Sequence, residues 1–367
     1  MKILAISKVQ DKEQIESAID LWRVHRPLME LKKHVDWKID FQPYLIRDYH
    51  GLDSDPDAFM RKYGEEVVDQ LGEYDIIFTS YTTSPHIYTL LWGTQKKHGT
   101  KFIIDIDDDM YDIDPWNPAI LRAGKAGIHF LQRVAQITEN ISCTTDVLAT
   151  KLKNKSEVVP KVFVNQNYIS DQYQHEPINN GENIIIGYFG GASHYRDIHN
   201  THFLPALQRI MHENKNVYFE CAGQPVDYYL PKSRVKVIEP VKGVQWPTEL
   251  FPSLQFDIAL LPLMDTVFSK SKSNIKWQES TRMGAAVIAS NIGPYKSLPS
   301  GSALSVSNTE DQWYDAITQL LDKQTRQKQV ATAQEALKSY RLEDNWQSYK
   351  SMFEEVHNDT SSNSSSR

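Results

Sequence analysis

Asn183-Ile-Ile-Ile-Gly-Tyr-Phe-Gly-Gly191 is a short apolar run closed by a pair of glycines. A run this short, without polar alternation, reads as a strand buried on both faces, as in a parallel sheet covered by helices. Further along the chain the same kind of run recurs at Val217-Tyr-Phe-Glu-Cys221, Val235-Lys-Val-Ile238, Asp257-Ile-Ala-Leu-Leu261 and Ala286-Val-Ile-Ala-Ser290, each set off by a helix-length segment. Toward the N-terminus lie Ile3-Leu-Ala-Ile6, the alternating Trp37-Lys-Ile-Asp-Phe41, Tyr74-Asp-Ile-Ile-Phe-Thr79, Lys101-Phe-Ile-Ile-Asp105, Ile141-Ser-Cys-Thr144 and a run from Glu157 to Asn165. A helical segment between the third and fourth of these ends in His98-Gly99, and helix, glycine stop, buried strand is the rhythm of βαβ units. The polar stretch from Gln172 to Glu182 divides the two series. Two successive α/β units of similar size follow, with no continuous eightfold repeat of a barrel. Ligands of such sheets bind beyond the carboxyl ends of the strands, so two facing sheets place a site in the cleft between domains.

The length of 367 residues agrees, since at roughly 150 residues per domain it makes two. With 40% hydrophobic and 24% charged residues, the composition excludes disorder, collagen-like repetition and a coiled coil. Forty basic against 47 acidic residues give a net charge of -7, which argues against nucleic acid as a partner. Cys143 and Cys221 lie far apart without metal or redox spacing and read as buried thiols in a reducing cytoplasm. No stretch is long and apolar enough for a spanning helix, and Met1 to Ser7 is too short for a signal-peptide core, so the expected location is cytoplasmic with at most peripheral membrane contact.

The chemistry concentrates in Asp265-Thr-Val-Phe-Ser-Lys-Ser-Lys-Ser-Asn-Ile-Lys-Trp-Gln-Glu279, followed by Ser280-Thr-Arg-Met-Gly-Ala-Ala-Val-Ile-Ala-Ser290. Ser273 is a suitable N-cap for a helix from about Asn274 to Met283, closed by Gly284. A helix N-terminus offers unbonded N–H groups and about half a positive charge, which suits a phosphate. Lys272 and Lys276 oppose the dipole there, and an anion between them relieves that opposition. Glu279 follows Lys276 by three residues on the same face, where its carboxylate can accept the paired hydroxyls of a ribose. For the spacing alone, a solvated Lys/Glu face of an amphipathic helix is the alternative. At Ile186-Gly-Tyr-Phe-Gly-Gly-Ala-Ser-His-Tyr-Arg-Asp197, Gly190 and Gly191 after a strand permit close backbone approach to a diphosphate, although a simple tight turn has the same signature.

The segment from Asp265 to Ser290 resembles the donor-binding motif of GT-B glycosyltransferases of family 4, the "glycosyl transferases group 1" type. The resemblance implies two Rossmann-like domains with parallel sheets facing across a cleft. It implies transfer of a sugar from a nucleotide-sugar donor to a hydroxyl acceptor with retention of configuration, the nucleotide sugar serving as co-substrate without a metal or other cofactor. Carried over, Lys276 holds donor phosphate, Glu279 the ribose, and Arg196 is the phosphate-binding cation beyond the glycine loop. The sequence departs from the pattern at Ser271, where the family has a first glutamate near the transferred sugar, and at Ala285, where it has a proline. Asn165-Gln-Asn167 resembles a segment that ends the first domain, and the last helix by analogy crosses back to it. The expected division is residues 1–170 for the acceptor domain, 171–183 for a linker, 184–338 for the donor domain, 339–357 for the returning helix and 358–367 for a disordered tail.

On the acceptor side, Ile103-Ile-Asp-Ile-Asp-Asp-Asp-Met-Tyr-Asp112 gathers carboxylates at a strand end. A divalent metal site, a polar wall with Asp107 or Asp108 near the acceptor hydroxyl, and simple capping of the next turn all fit it. Arg23 and Arg26 in Trp22-Arg-Val-His-Arg-Pro27 point into the cleft or lie on a solvated helix. Tyr81 and His86 follow another strand and line an acceptor pocket or form a turn. The acceptor classes left open are glycans, lipid-linked glycans, proteins and small hydroxyl compounds. A nucleotide-sugar isomerase or epimerase on the same scaffold, and a non-catalytic nucleotide- or glycan-binding module, are the competing functions.

Overall fold

The structure, a computed structural model, describes residues 1–6, 18–42, 55–82, 84–173, 175, 178, 180–223, 226, 229–239, 241 and 250–359. The expected disordered tail lies, apart from its first two residues, outside them. The chain forms two compact units, one made of Met1–Tyr111, Ala123–Gln166 and Leu342–Arg367, the other of Asp112–Arg122 and Asn167–Arg341.

The first unit is built on a six-stranded sheet of β1 (Lys2–Ile6), β2 (Lys38–Gln42), β3 (Ile76–Ser80), β4 (Lys101–Ile106), β5 (Asn140–Cys143) and β6 (Lys161–Val164). The strands are parallel in the order β2-β1-β3-β4-β5-β6. The strands are short and almost wholly apolar because helices cover both faces, which a parallel sheet requires. The final helix, Gln347–Asn358, supplies Tyr349, Met352, Phe353 and Val356 to this core, against Ile3, Ile76 and Phe78. Each such side chain stabilises the docking by about 1.5–3 kcal/mol through burial. Phe353 also meets Phe78 edge-on at 5.6 Å.

The second unit repeats the plan with β7 (Ile184–Phe189), β8 (Val217–Ala222), β9 (Val235–Ile238), β10 (Ile258–Leu261), β11 (Ala286–Ser290) and β12 (Leu304–Val306). Their order is β12-β11-β10-β7-β8-β9, again parallel. From β7 the chain winds first outward through β8 and β9, then returns to β10 on the other side. This is a Rossmann order, and its topological switch point lies at the carboxyl ends of β7 and β10, where a crevice forms because successive crossovers leave in opposite directions. In the first unit the equivalent point lies at β1 and β3.

Three features depart from the sequence reading. Residues 112–122 leave the first unit and are part of the second. The polar stretch near residue 171 is bonded to the second unit: Asp171 pairs with Arg282 and Arg341, and Asn180 donates to Asp257 at 2.8 Å. Its charges had the composition of a solvated linker, but their partners come from distant sequence. β12, a three-residue strand at the sheet edge, escaped the pattern because it is too short to show a period.

Candidate functional site

The switch point of the second unit is where the sequence placed its anion site. The helix Ile275–Met283 begins beside it, with Asn274 as N-cap instead of Ser273. The Asn274 side chain does not cap it, and the Trp277 N–H is bonded to the Asn274 carbonyl at 2.9 Å, which leaves the N–H groups before Trp277 for another acceptor. Asn274 turns its Oδ1 to Gln278 Nε2 at 2.8 Å, and the Ser273 hydroxyl instead accepts from Asn167 Nδ2 at 2.7 Å. The helix closes as expected at Gly284, whose φ of 82° is left-handed.

Lys276 reaches from the first turn of this helix to the end of β7, where its ammonium donates to the Phe189 carbonyl at 2.8 Å and lies 5.0 Å from the Tyr188 ring centroid. Burial, reinforced by the charge on Lys272, pushes its pKa down to about 8, against the pull of Asp197 and Glu279. Gly190 makes this approach possible: a Cβ there would stand 2.6 Å from Lys276 Nζ and 2.5 Å from the Tyr188 hydroxyl. That hydroxyl is buried and finds no partner among the described residues. Gly191 is exposed with open space around it. The Lys272 ammonium sits 4.4 Å from the Phe268 ring centroid. Glu279 is buried one turn along the helix from Lys276, and the Tyr173 hydroxyl lies 3.5 Å from its Oε1. Arg196 is exposed, its guanidinium 5.8 Å from the Trp116 ring centroid.

Sequence reasoning missed three partners of this group. His194 Nδ1 lies 2.8 Å from Asp197 Oδ2, and Asp197 Oδ1 accepts from the Met264 backbone N–H at 2.8 Å, which clips the loop after β10 to the glycine loop. Burial, helped by Lys276, pushes the His194 pKa down to about 4. A neutral imidazole facing a carboxylate must donate from Nδ1, which leaves Nε2 as an acceptor. The third is Asp114, whose Oδ2 accepts from the Thr266 hydroxyl at 3.1 Å. Nothing local in the sequence signals a partner 152 residues away.

In the first unit, Tyr81, Asp107 and Asp108 come together at the end of β4. Burial and the carboxylates of Asp107, Asp108 and Asp105 hold the Tyr81 phenol well above its ordinary range, so it is a hydrogen-bond donor at neutral pH. His86 is half-buried on the following helix, Pro85–His98. Arg23 does not face a ligand. It is 1% exposed and its guanidinium grips both oxygens of Asp105, at 2.7 and 3.0 Å, and the Asn165 carbonyl. The solvated-helix alternative fails for the same reason, since Arg23 is a core ion pair. Arg26 is half-buried with its guanidinium 5.2 Å from the Trp22 ring centroid. The acidic run is divided among separate partners: Asp105 to Arg23, Asp109 to Lys151 and to the Tyr111 N–H, Asp114 to Thr266. Among the described residues no group of three or more His, Cys, Asp or Glu side chains is placed to hold a metal ion. No described helix is long and apolar enough to cross a membrane, and both cysteines are buried free thiols.

No family model and no curated protein matches the sequence. Solved structures do. A glycosyltransferase from Rickettsia africae superposes with a TM-score of 0.64 at 13% identity, covering 98% of this chain and 99% of its own. The fold is GT-B. The sucrose-phosphate synthase of Thermosynechococcus elongatus gives 0.64 at 13% identity over 97% of this chain and 99% of its own. Anabaena HepE, solved in complex with UDP, gives 0.62 at 15% identity over 97% of this chain and 100% of its own. The match to TarM, with a TM-score of 0.54 at 13% identity, covers 76% of this chain and 54% of TarM, so this GT-B chain spans about half the length of that relative.

Proposed function

We propose that the protein is a glycosyltransferase that moves a sugar from a nucleotide diphosphate donor to a hydroxyl acceptor. The observation that carries this reading is the convergence at one switch point of an uncapped helix end, the Gly190-Gly191 loop and Lys276, with Glu279 one turn further along the same helix. A diphosphate seated there meets N–H donors and the positive ends of Lys276 and Lys272, and Glu279 receives the ribose hydroxyls. The solved relative that carries UDP supports a uridine nucleotide as the first donor to try.

In the reaction the bond between the anomeric carbon and the leaving phosphate oxygen breaks, and the acceptor oxygen forms the new bond to that carbon. The electron pair of the broken bond stays on the phosphate, where Lys276, Lys272, Arg196 and the helix end offset the growing charge. In the retaining route the acceptor proton passes to the departing phosphate oxygen, and no protein base is needed. Asp107 and Asp108, with Tyr81 beside them, are the proposed acceptor-side groups. If one of them takes the proton instead, the configuration inverts. The reading predicts binding of UDP by the full chain, and turnover of UDP-glucose across glycan, lipid-linked and small hydroxyl acceptors, with the anomeric configuration of the product read by NMR. Absence of nucleotide binding overturns the proposal. Conversion of the donor sugar without an acceptor identifies an isomerase in its place.

A further inference from the structure

The diphosphate site contains a carboxylate whose position no sequence motif marks. Asp114 enters the second unit on the excursion of residues 112–122. Its backbone is held by a turn in which the Asn117 N–H donates to the Asp114 carbonyl at 2.8 Å, and Asn117 itself is buried. Its side chain is half-buried, and Thr266, the N-cap of the helix Val267–Lys270, donates to Oδ2. Thr266 Oγ1 accepts from the Ser269 N–H at 3.0 Å and lies 3.0 Å from Ser269 Oγ, so its single hydrogen serves the carboxylate when the Ser269 hydroxyl donates to Thr266. Among the described residues no donor reaches Asp114 Oδ1.

The other acidic groups around this crevice are engaged. Both oxygens of Asp197 are bonded, Asp265 is paired with Lys270, and Glu279 lies further along the helix. Ser271 is buried and donates its hydroxyl to the Phe268 carbonyl at 2.9 Å. Asp114 is bonded at Thr266, two residues from the Met264 N–H that holds Asp197, whereas Glu279 meets the Tyr173 hydroxyl. Lys272 and Lys276 stand between Thr266 and Glu279 in the segment, so the two carboxylates belong to opposite ends of it. With the ribose at Glu279 and the diphosphate at the lysines, the group that arrives at Asp114 is the sugar.

We propose that Asp114 Oδ1 accepts a hydrogen bond from a hydroxyl of the donor's sugar and sets the specificity of the site for that sugar. Desolvation raises the Asp114 pKa in the free protein while Lys272 lowers it, as for a carboxylate placed to meet a polar group in a partly dry site. The inference rests on the nucleotide-sugar reading above.

The test measures binding of UDP, UDP-glucose and its single-position deoxy analogues to the full chain by calorimetry. Asp114→Ala is expected to weaken UDP-glucose about tenfold to a hundredfold, as for loss of a charged hydrogen bond, while UDP stays within about twofold. One deoxy analogue binds the native protein correspondingly worse but is indistinguishable from UDP-glucose in Asp114→Ala. Thr266→Val, which removes the support but keeps the carboxylate, leaves UDP unchanged and preserves discrimination against that analogue. Equal losses for UDP and UDP-glucose, no loss for either, or loss of discrimination in Thr266→Val each overturn the assignment to Asp114 alone. Failure of the native protein to bind UDP and UDP-glucose at all overturns the nucleotide-sugar reading, and this inference falls with it.

Discussion

Lys276 offers the sharpest test of the donor site, because its proton is in question near neutral pH. Burial and Lys272 bring its pKa to about 8 in the free protein. If the diphosphate binds only the ammonium form, the apparent dissociation constant is the intrinsic one divided by the protonated fraction. That fraction is about 0.9 at pH 7 and about 0.1 at pH 9 for a pKa near 8, so UDP affinity falls about tenfold across the interval. The anion raises the pKa in the complex, and calorimetry in buffers of different ionisation enthalpy detects the proton taken up. Lys276→Arg keeps the charge at every pH used, removes this component, and serves as the reference for anything else that titrates, including UDP. Lys276→Ala loses about 1.5–3 kcal/mol of UDP affinity at pH 7 and has the same flatter profile. A native profile no steeper than that of Lys276→Arg refutes the placement of Lys276 against the phosphates.

Three further outcomes follow from the same geometry. Gly190→Ala puts a methyl group where the Lys276 ammonium and the Tyr188 hydroxyl sit, so UDP affinity falls by about 1–3 kcal/mol by calorimetry, and the melting temperature falls as well because the buried Tyr188 must shift. Glu279→Ala weakens UDP by about 1–3 kcal/mol but leaves inorganic pyrophosphate unaffected, since only UDP carries the ribose. Arg23→Leu leaves Asp105 buried without its cation and destabilises the first unit by about 3–5 kcal/mol in urea denaturation, and the loss is larger than for Arg26→Leu, since Arg26 is a half-buried residue stacked over Trp22.

The strands were legible because a parallel sheet forces them to be short and apolar, and β7, β8, β9, β10 and β11 fall on the runs that opened the sequence reading. Strand order was not legible, since it depends on which crossovers turn back, and neither glycine stops nor periodicity encode that. In the candidate site, the local parts were readable: the glycine loop, the helix end, and Lys276 and Glu279 within four residues of each other. What escaped was every pairing over long separation. Arg23 reads as facing the cleft or lying on a solvated helix because its partner Asp105 is 82 residues away. Asp114 lies just past the acidic run that ends at Asp112, and nothing near it points to Thr266, 152 residues away. An arginine or an aspartate carries no local sign of whether its counterpart is a ligand or another part of the chain.

The free site holds the Lys276 ammonium largely away from water, and that cost bears on function. Burial and the charge on Lys272 lower the tendency of Lys276 to hold a proton, Asp197 and Glu279 offset this only in part, and the neutral His194 beside it adds no charge. The folded pKa of Lys276, about 8, lies below the ordinary 10.5, so between these values the unfolded chain binds more protons and stability rises with pH. Below about pH 8 the penalty for this lysine is present in full. A fold maintained for stability alone has an inexpensive remedy, a neutral residue of the same length at position 276. Retention of the ammonium instead is intelligible if a bound anion removes the penalty, because the destabilisation of the empty site then returns as binding energy for the diphosphate.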